Sequence, residues 1–365
     1  MKRYVTALFI ILIIVKCSTN KNNDIYTSNY EDNYNLKVID SLTYYYRDTL
    51  FIGRVHDIQL IGNKILISDF FLKKIWLFSK ELNFIKTIGG KGKGPGEYTY
   101  PPSIIYDSNY IWLTTDRIID KYNQNLELIE RKHLPNELIY DPYTPISFGD
   151  FFIFNVSYPY SIVEKSYYKK YKPFIKIDTT LRTYINFDEW DDNYFNDELE
   201  GYTRELHHAF VTKKDENHFF TIQGAAYYIK LYDKNLNLIK HFGRKPKKYK
   251  DPPKLKLRET QASVEANAKF HSKITRWHNI KYDKSEKRLY LGYTNLFEDF
   301  YKYRSLMRGE HYLQVFDDNY NVIYDDKLPG RLAFVDNGKI YVIHKEDPKF
   351  LKLLICRLER KNSAE

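Results

Sequence analysis

Cysteine is nearly absent: the 365 residues contain two, Cys17 and Cys356. Two cysteines cannot build a disulfide framework, and no Cys/His pattern suited to zinc exists. Long apolar runs are missing too. The longest, Tyr4 to Val15, has 12 residues, too few to span a bilayer. No G-x-S-x-G appears, which argues against an attached α/β-hydrolase. Methionine (2) and tryptophan (4) are scarce, and few segments are rich in Ala, Leu and Glu.

What is present leans toward sheet. Tyrosine (35) and phenylalanine (23) are abundant, and hydrophobic residues make up 43%, enough for a substantial core. A low-GC genome would enrich Lys, Asn, Ile and Tyr together, so composition alone does not decide. The formal net charge is +10. The N-terminal "MKRYVTALFIILIIVKCSTN" has a basic start, the short apolar core of a signal segment, and Cys17 directly after it. This resembles a bacterial lipoprotein signal, in which the cysteine is acylated and becomes the mature N-terminus. Lys16 stands where such signals ordinarily carry a small residue; the competing reading is an uncleaved signal anchor. Loss of residues 1–16 removes Lys2, Arg3 and Lys16 and lowers the charge from +10 to +7. The expected division is a signal over 1–16, a flexible tether over 17–35 and one domain over 36–360. An exported, moderately basic protein meets anionic headgroups or acidic glycans rather than nucleic acid.

The chain repeats itself. A strand–polar turn–strand pattern occurs at Ile58–Asp69, Ser103–Asp116, Ile146–Asn155, Ala209–Gln223, Asn279–Tyr293 and Leu332–His344. Each reads as a β-hairpin. Five are followed by a second strand pair around a turn of the type D-x-N-L-N: Ile75–Gly89, Asp120–Glu130, Phe174–Ile185, Ile229–Gly243 and Leu313–Tyr324. The sixth is followed by Leu351–Glu359 alone. The spare strand Leu36–Tyr46 can supply what the last unit lacks and remove the exposed edge. The count predicts an all-β, six-bladed β-propeller of four-stranded antiparallel blades, closed by its N-terminal strand. A β-sandwich or two β-domains would not carry one repeat through the whole chain. The equivalent positions Phe78, Tyr122, Ile177, Tyr232 and Phe316 lie 44, 55, 55 and 84 residues apart, which locates insertions near 188–200 and 244–277. Pro252–Pro253 forbid a helix through the basic stretch; beyond them Leu257, Val264, Ala268 and His271 fall near helical spacing, predicting one helix over Lys254–Arg276.

"IGGKGKGPGEYTYPP", Ile88–Pro102, invites a nucleotide reading: five glycines (Gly89, Gly90, Gly92, Gly94, Gly96) precede Glu97. Walker A fails because Pro95 stands where the lysine must be. A dinucleotide loop fails because position 95 is not glycine and no helix follows. The stretch suits a crossover between blades, where glycine supplies positive φ. With its D-x-N-L-N turns and lipoprotein-like leader, the sequence resembles the NHL-like (TolB-like) six-bladed β-propeller lipoproteins of Bacteroidetes, whose linker reads G-x-G-x-G-P-G-E-[FY]-x-x-P. The resemblance runs from about Leu36 to the C-terminus. It implies fold and location but no single activity.

Candidate chemistry is sparse. Asp188–Glu200 holds seven carboxylates and no basic residue; it reads as a Ca²⁺ site without EF-hand spacing or as a solvated loop, able to pair with the basic run. Arg244–Lys256 carries seven Lys or Arg and reads as a contact for anionic headgroups or acidic glycans, or as a solvated loop. His56–Asp57, Arg204, His207–His208 and His278 stand before hairpins, where a propeller brings its chain to the axis. Neighbouring strand residues face opposite ways, so His207 and His208 cannot both point there. Two functions compete. One is an envelope module, lipid-anchored on the periplasmic or outer face of the outer membrane, that binds a protein or glycan. The other is a Ca²⁺-dependent hydrolase or lyase with ligands converging in the channel.

Overall fold

The computed structural model describes residues 25–115, 117–135, 141–155, 172–191, 208–224, 226–252, 263–303 and 307–361. They form six four-stranded antiparallel blades in a ring. The innermost strands, from blade 1 to blade 6, are Val55–Ile61, Ser103–Tyr106, Asp141–Ser147, Ala209–Lys213, Arg276–Asp283 and Arg331–Asp336. Each lies beside the innermost strands of the blades on either side, so the ring is continuous. Blade 6 takes its outer strand from the other end of the chain. Tyr34–Tyr45 pairs antiparallel with Phe350–Arg360 from Tyr34 opposite Arg360 to Tyr45 opposite Phe350, sealing the ring as the strand count requires.

The repeated turn has a physical signature. Its fourth residue is Leu82, Leu126, Leu181, Leu236 or Tyr320, and each sits at φ between 57° and 71°. Left-handed backbone disfavours non-glycine residues. Here the apolar side chain is needed: Leu82, Leu126 and Leu181 are buried against their blades. The first turn residue fixes the conformation. Asp233 Oδ1 accepts from the amides of Asn235 and Asn237, and Asp317 Oδ1 from Asn319 and Asn321. Asn123 and Ser79 do the same with amide oxygen and hydroxyl. Asp and Asn side chains that bond their own downstream amides are the local cause of such turns.

Blades adhere face to face through apolar seams. Phe78, Trp76 and Ile65 of blade 1 meet Phe334 and Tyr341 of blade 6, with Tyr44 of the sealing strand in the same cluster. Trp112 of blade 2 meets Phe152 of blade 3 edge-on at 5.0 Å. Phe242 of blade 4 stands 5.6 Å from Phe316 of blade 5.

Two expectations need correction. The helix of the long insertion is shorter than predicted: Val264–Ser272, capped by Ser263 Oγ accepting from the Ala266 amide. Arg276 already belongs to the inner strand of blade 5, and residues 253–262 lie outside the described residues. A one-turn helix, Phe300–Tyr303, lies in the same blade. Part of the segment expected as a tether is docked. Tyr26–Thr27 pairs in parallel with Phe242–Gly243 on the edge of blade 4, and Tyr30 bridges to Val322 of blade 5.

Candidate functional site

The inner strands rise around the axis and leave a cavity of about 480 Å³ toward their C-terminal ends. All six blades line it, through residues such as Gln59, Tyr106, Ser147, Lys213, Lys281 and Asp336. The volume lies in the range of small-ligand sites. At and beside its wall, polar groups are linked across the ring. Asp57 of blade 1 accepts from the Ile104 amide of blade 2 at 2.8 Å and from Gln59 Nε2 at 3.0 Å. Lys281 of blade 5 donates to Gln59 Oε1 at 3.0 Å. Burial raises the Asp57 carboxyl against the pull of Lys281, and burial lowers the Lys281 ammonium against the pull of Asp57. A second hollow of about 250 Å³ lies among blades 2, 3 and 4 and shares Lys213 with the first. There Lys121 Nζ stands 3.5 Å from the Tyr110 ring centroid.

Toward the N-terminal ends of the inner strands lies a cluster of imidazoles. The Leu332 amide donates to His278 Nε2 at 3.0 Å. That nitrogen is therefore the acceptor, and Nδ1 carries the proton toward Thr294 Oγ1 at 3.0 Å. The Thr294 hydroxyl then donates to His311 Nδ1 at 2.8 Å. Both rings are neutral in this chain. Burial, reinforced by Arg331, holds His278 well below the ordinary histidine range and His311 at about 4. His56, 3.4 Å from Ser103 Oγ, is held at about 3 by burial and by Arg54, Lys73 and Arg331. Burial raises Glu346 while Arg331 and Arg54 oppose it.

The predicted residues are thus partly gathered. His56 and Asp57 lie in the inner strand of blade 1 and His278 in that of blade 5. His56 and His278 share the field of Arg331. His208 precedes the inner strand of blade 4. Cys17, Arg204 and His207 lie outside the described residues. Among the described residues, no group of three or more His, Cys, Asp or Glu converges to hold a metal. The first residues of the acidic insertion are engaged by protein groups: Asp188 pairs with Lys230 and accepts from Tyr232 Oη, and Gln223 donates to the Glu189 carbonyl. The described part of the basic run is docked. Tyr249 is buried beside Trp277, the Lys247 amide donates to Asp325, and the described ion pairs of the run join Lys245 to Asp251 and Lys247 to Asp32.

The glycine stretch is a built crossover. Gly89 and Gly96 take φ of 80° and 74°. A Cβ on Gly89 would lie 3.1 Å from the Tyr98 ring. The loop closes on Arg131, which donates to the carbonyls of Gly94 at 2.6 Å and Glu97 at 3.1 Å. Arg131 also holds Asp120 with two bonds of 2.7 Å, and Tyr98 Oη donates to the same carboxylate at 2.9 Å. The glycines therefore wrap a buried ion pair of blade 2 rather than a phosphate.

Sequence reasoning missed Gln59, Lys281, Thr294, His311 and Arg331. Gln59 and Lys281 carry one faint signal: each follows an isoleucine that packs between blades, so each faces the channel.

The fold and its hollow define a six-bladed propeller, and comparison agrees. A family model described as DUF5128, a 6-bladed beta-propeller, matches residues 16–325, and the chain belongs to that family. It is similar in structure to a member of the DUF4221 family from Bacteroides vulgatus, with a TM-score of 0.70 and 12% identity over 91% of this chain and 100% of that one. It is also similar to a protein of Bacteroides fragilis described as exported, with a TM-score of 0.57 and 15% identity over 92% of this chain and 99% of that one. At such identities the likeness carries fold alone. No curated protein matches the sequence.

Proposed function

We propose that the protein is a cell-envelope binding module of the NHL-like lipoprotein kind, tethered to the outer membrane by lipid on Cys17, that takes a protein or glycan partner at the axial cavity. The observation that carries the reading is the cavity itself. Every blade contributes to its wall, and a recognition surface made of six repeats can vary residue by residue without disturbing the ring. The adjoining hollow and the exposed Tyr106 extend the surface over one face. The basic start, the 12-residue apolar core and Cys17 support the anchor, and a neighbour described as exported is in keeping with an envelope location.

The test compares the full chain with a variant altered only at the mouth, Tyr106→Ala with Lys284→Ala. Both are retrieved from the native envelope, and bound proteins and glycans are identified by mass spectrometry. A partner held by the parent and lost by the variant supports the reading. A partner retained equally by both sinks it. Cys17→Ser should move the protein from the membrane to the soluble fraction; unchanged fractionation refutes the anchor.

A further inference from the structure

Lys281 is the cavity cation that makes no ion pair among the described residues. Lys213 and Lys284 both contact Glu216, and Asp336 is held by Lys80. Lys281 lines the cavity with a neutral amide, Gln59, as its hydrogen-bond partner, and among the described residues no carboxylate stands within ion-pair distance of it. Asp57 faces it only across that amide, with its own oxygens engaged by Gln59 and the Ile104 amide. An ammonium has three donors, and Lys281 uses one on protein. A buried cation that lacks a charged partner is costly, and a ligand anion removes that cost.

The isolated ammonium selects the anion. A single ammonium acts as a point charge without the fork that guanidinium offers to phosphate. Alone at the axis it balances a monoanion such as a carboxylate. The rest of the wall selects the body that bears the anion. Gln59 and Thr212 present neutral hydrogen-bonding groups, and Tyr106 and Tyr282 bring rings to the opening. Convergent polar groups with aromatic faces suit a compact, hydroxylated ligand. Resting on the reading above, we infer that the axial cavity binds an acidic sugar, a uronic acid residue alone or at a glycan end, with its carboxylate on Lys281 Nζ. The depressed ammonium of Lys281 agrees with a site completed by an anion.

Isothermal titration of the full chain with di- and trigalacturonate tests this, beside the same oligomers as methyl esters, neutral galacto-oligomers, and short peptides with free C-terminal carboxylates. Saturable uronate binding is expected, weakened at least tenfold by esterification and at least tenfold by Lys281→Met, with peptides binding more weakly than uronates. The ester arm needs no variant and stands even if Lys281→Met folds poorly. Absence of saturable uronate binding, equal affinity for ester and acid, a preference for peptide carboxylates, or an unchanged folded Lys281→Met protein would each overturn the inference. If envelope capture still depends on Tyr106 and Lys284 while uronates fail, the binding module survives and only its ligand class falls.

Discussion

The ring closes by one strand, and removing the apolar grip of that strand should open it. Tyr44 is 8% exposed although it belongs to the outer strand of blade 6. Its ring stands 4.9 Å from Phe78 and 5.7 Å from Tyr46, and its hydroxyl donates to the Leu50 carbonyl at 3.2 Å. Truncating a buried aromatic to alanine costs about 3–5 kcal/mol, since transfer energy is lost and a cavity remains. The lost hydrogen bond adds about 1 kcal/mol, so Tyr44→Ala should cost about 5 kcal/mol and Tyr44→Phe about 1 kcal/mol. Val38, 49% exposed on the same strand, gives the control: Val38→Thr keeps the β-branch and should move stability by less than about 0.5 kcal/mol. Urea denaturation followed by near-ultraviolet circular dichroism measures all three as midpoint shifts at a shared slope. A loss below about 1 kcal/mol for Tyr44→Ala, or equal effects of Tyr44→Ala and Val38→Thr, would mean the strand lies on the ring without sealing it.

Three further outcomes can be checked. Asp120→Asn leaves the half-buried Arg131 without its counter-charge and should cost about 3–5 kcal/mol in the same denaturation assay; Asp120→Leu combined with Arg131→Met should recover most of that, and no recovery would refute the ion-pair reading. His311 is depressed to about 4 in the folded protein, so the unfolded chain binds the proton first. Its contribution is fully present above the unfolded value near 6.5 and is lost as pH falls toward 4, at about 1.4 kcal/mol per pH unit. His311→Asn should flatten the stability–pH profile in that window, and an unchanged slope would show that His311 is not buried neutral. Leu126→Gly relieves a left-handed backbone worth about 1–2 kcal/mol but removes a buried side chain worth about 2–5 kcal/mol, so melting temperature should fall; a rise would invert the assigned balance.

Legibility of this chain tracks the distance over which its information acts. The hairpins and the D-x-N-L-N turns are local: Asp233 bonds amides two and four residues on, and the alternation of each strand reports its own pleat. Six copies of a local pattern, one spare strand and one missing edge then determine a global closure. The helix was overextended for the opposite reason. Helical spacing runs to His271 with no local stop signal directly after it, but Trp277 is claimed by blade 5, where it is buried with its indole N–H donating to the Ala226 carbonyl 51 residues away. Tertiary demand ended the helix where propensity did not. The axial site was illegible because it has no local grammar. Gln59 and Lys281 are 222 residues apart and meet only because the ring brings blade 1 and blade 5 to a common axis. Thr294 and His311 sit in the second and third strands of one blade, yet they matter through His278 in the first and the Leu332 amide of the next. In a propeller the repeat dictates the scaffold, and the axial residues that differ from blade to blade, such as Gln59 and Lys281, are the ones free to specify a ligand.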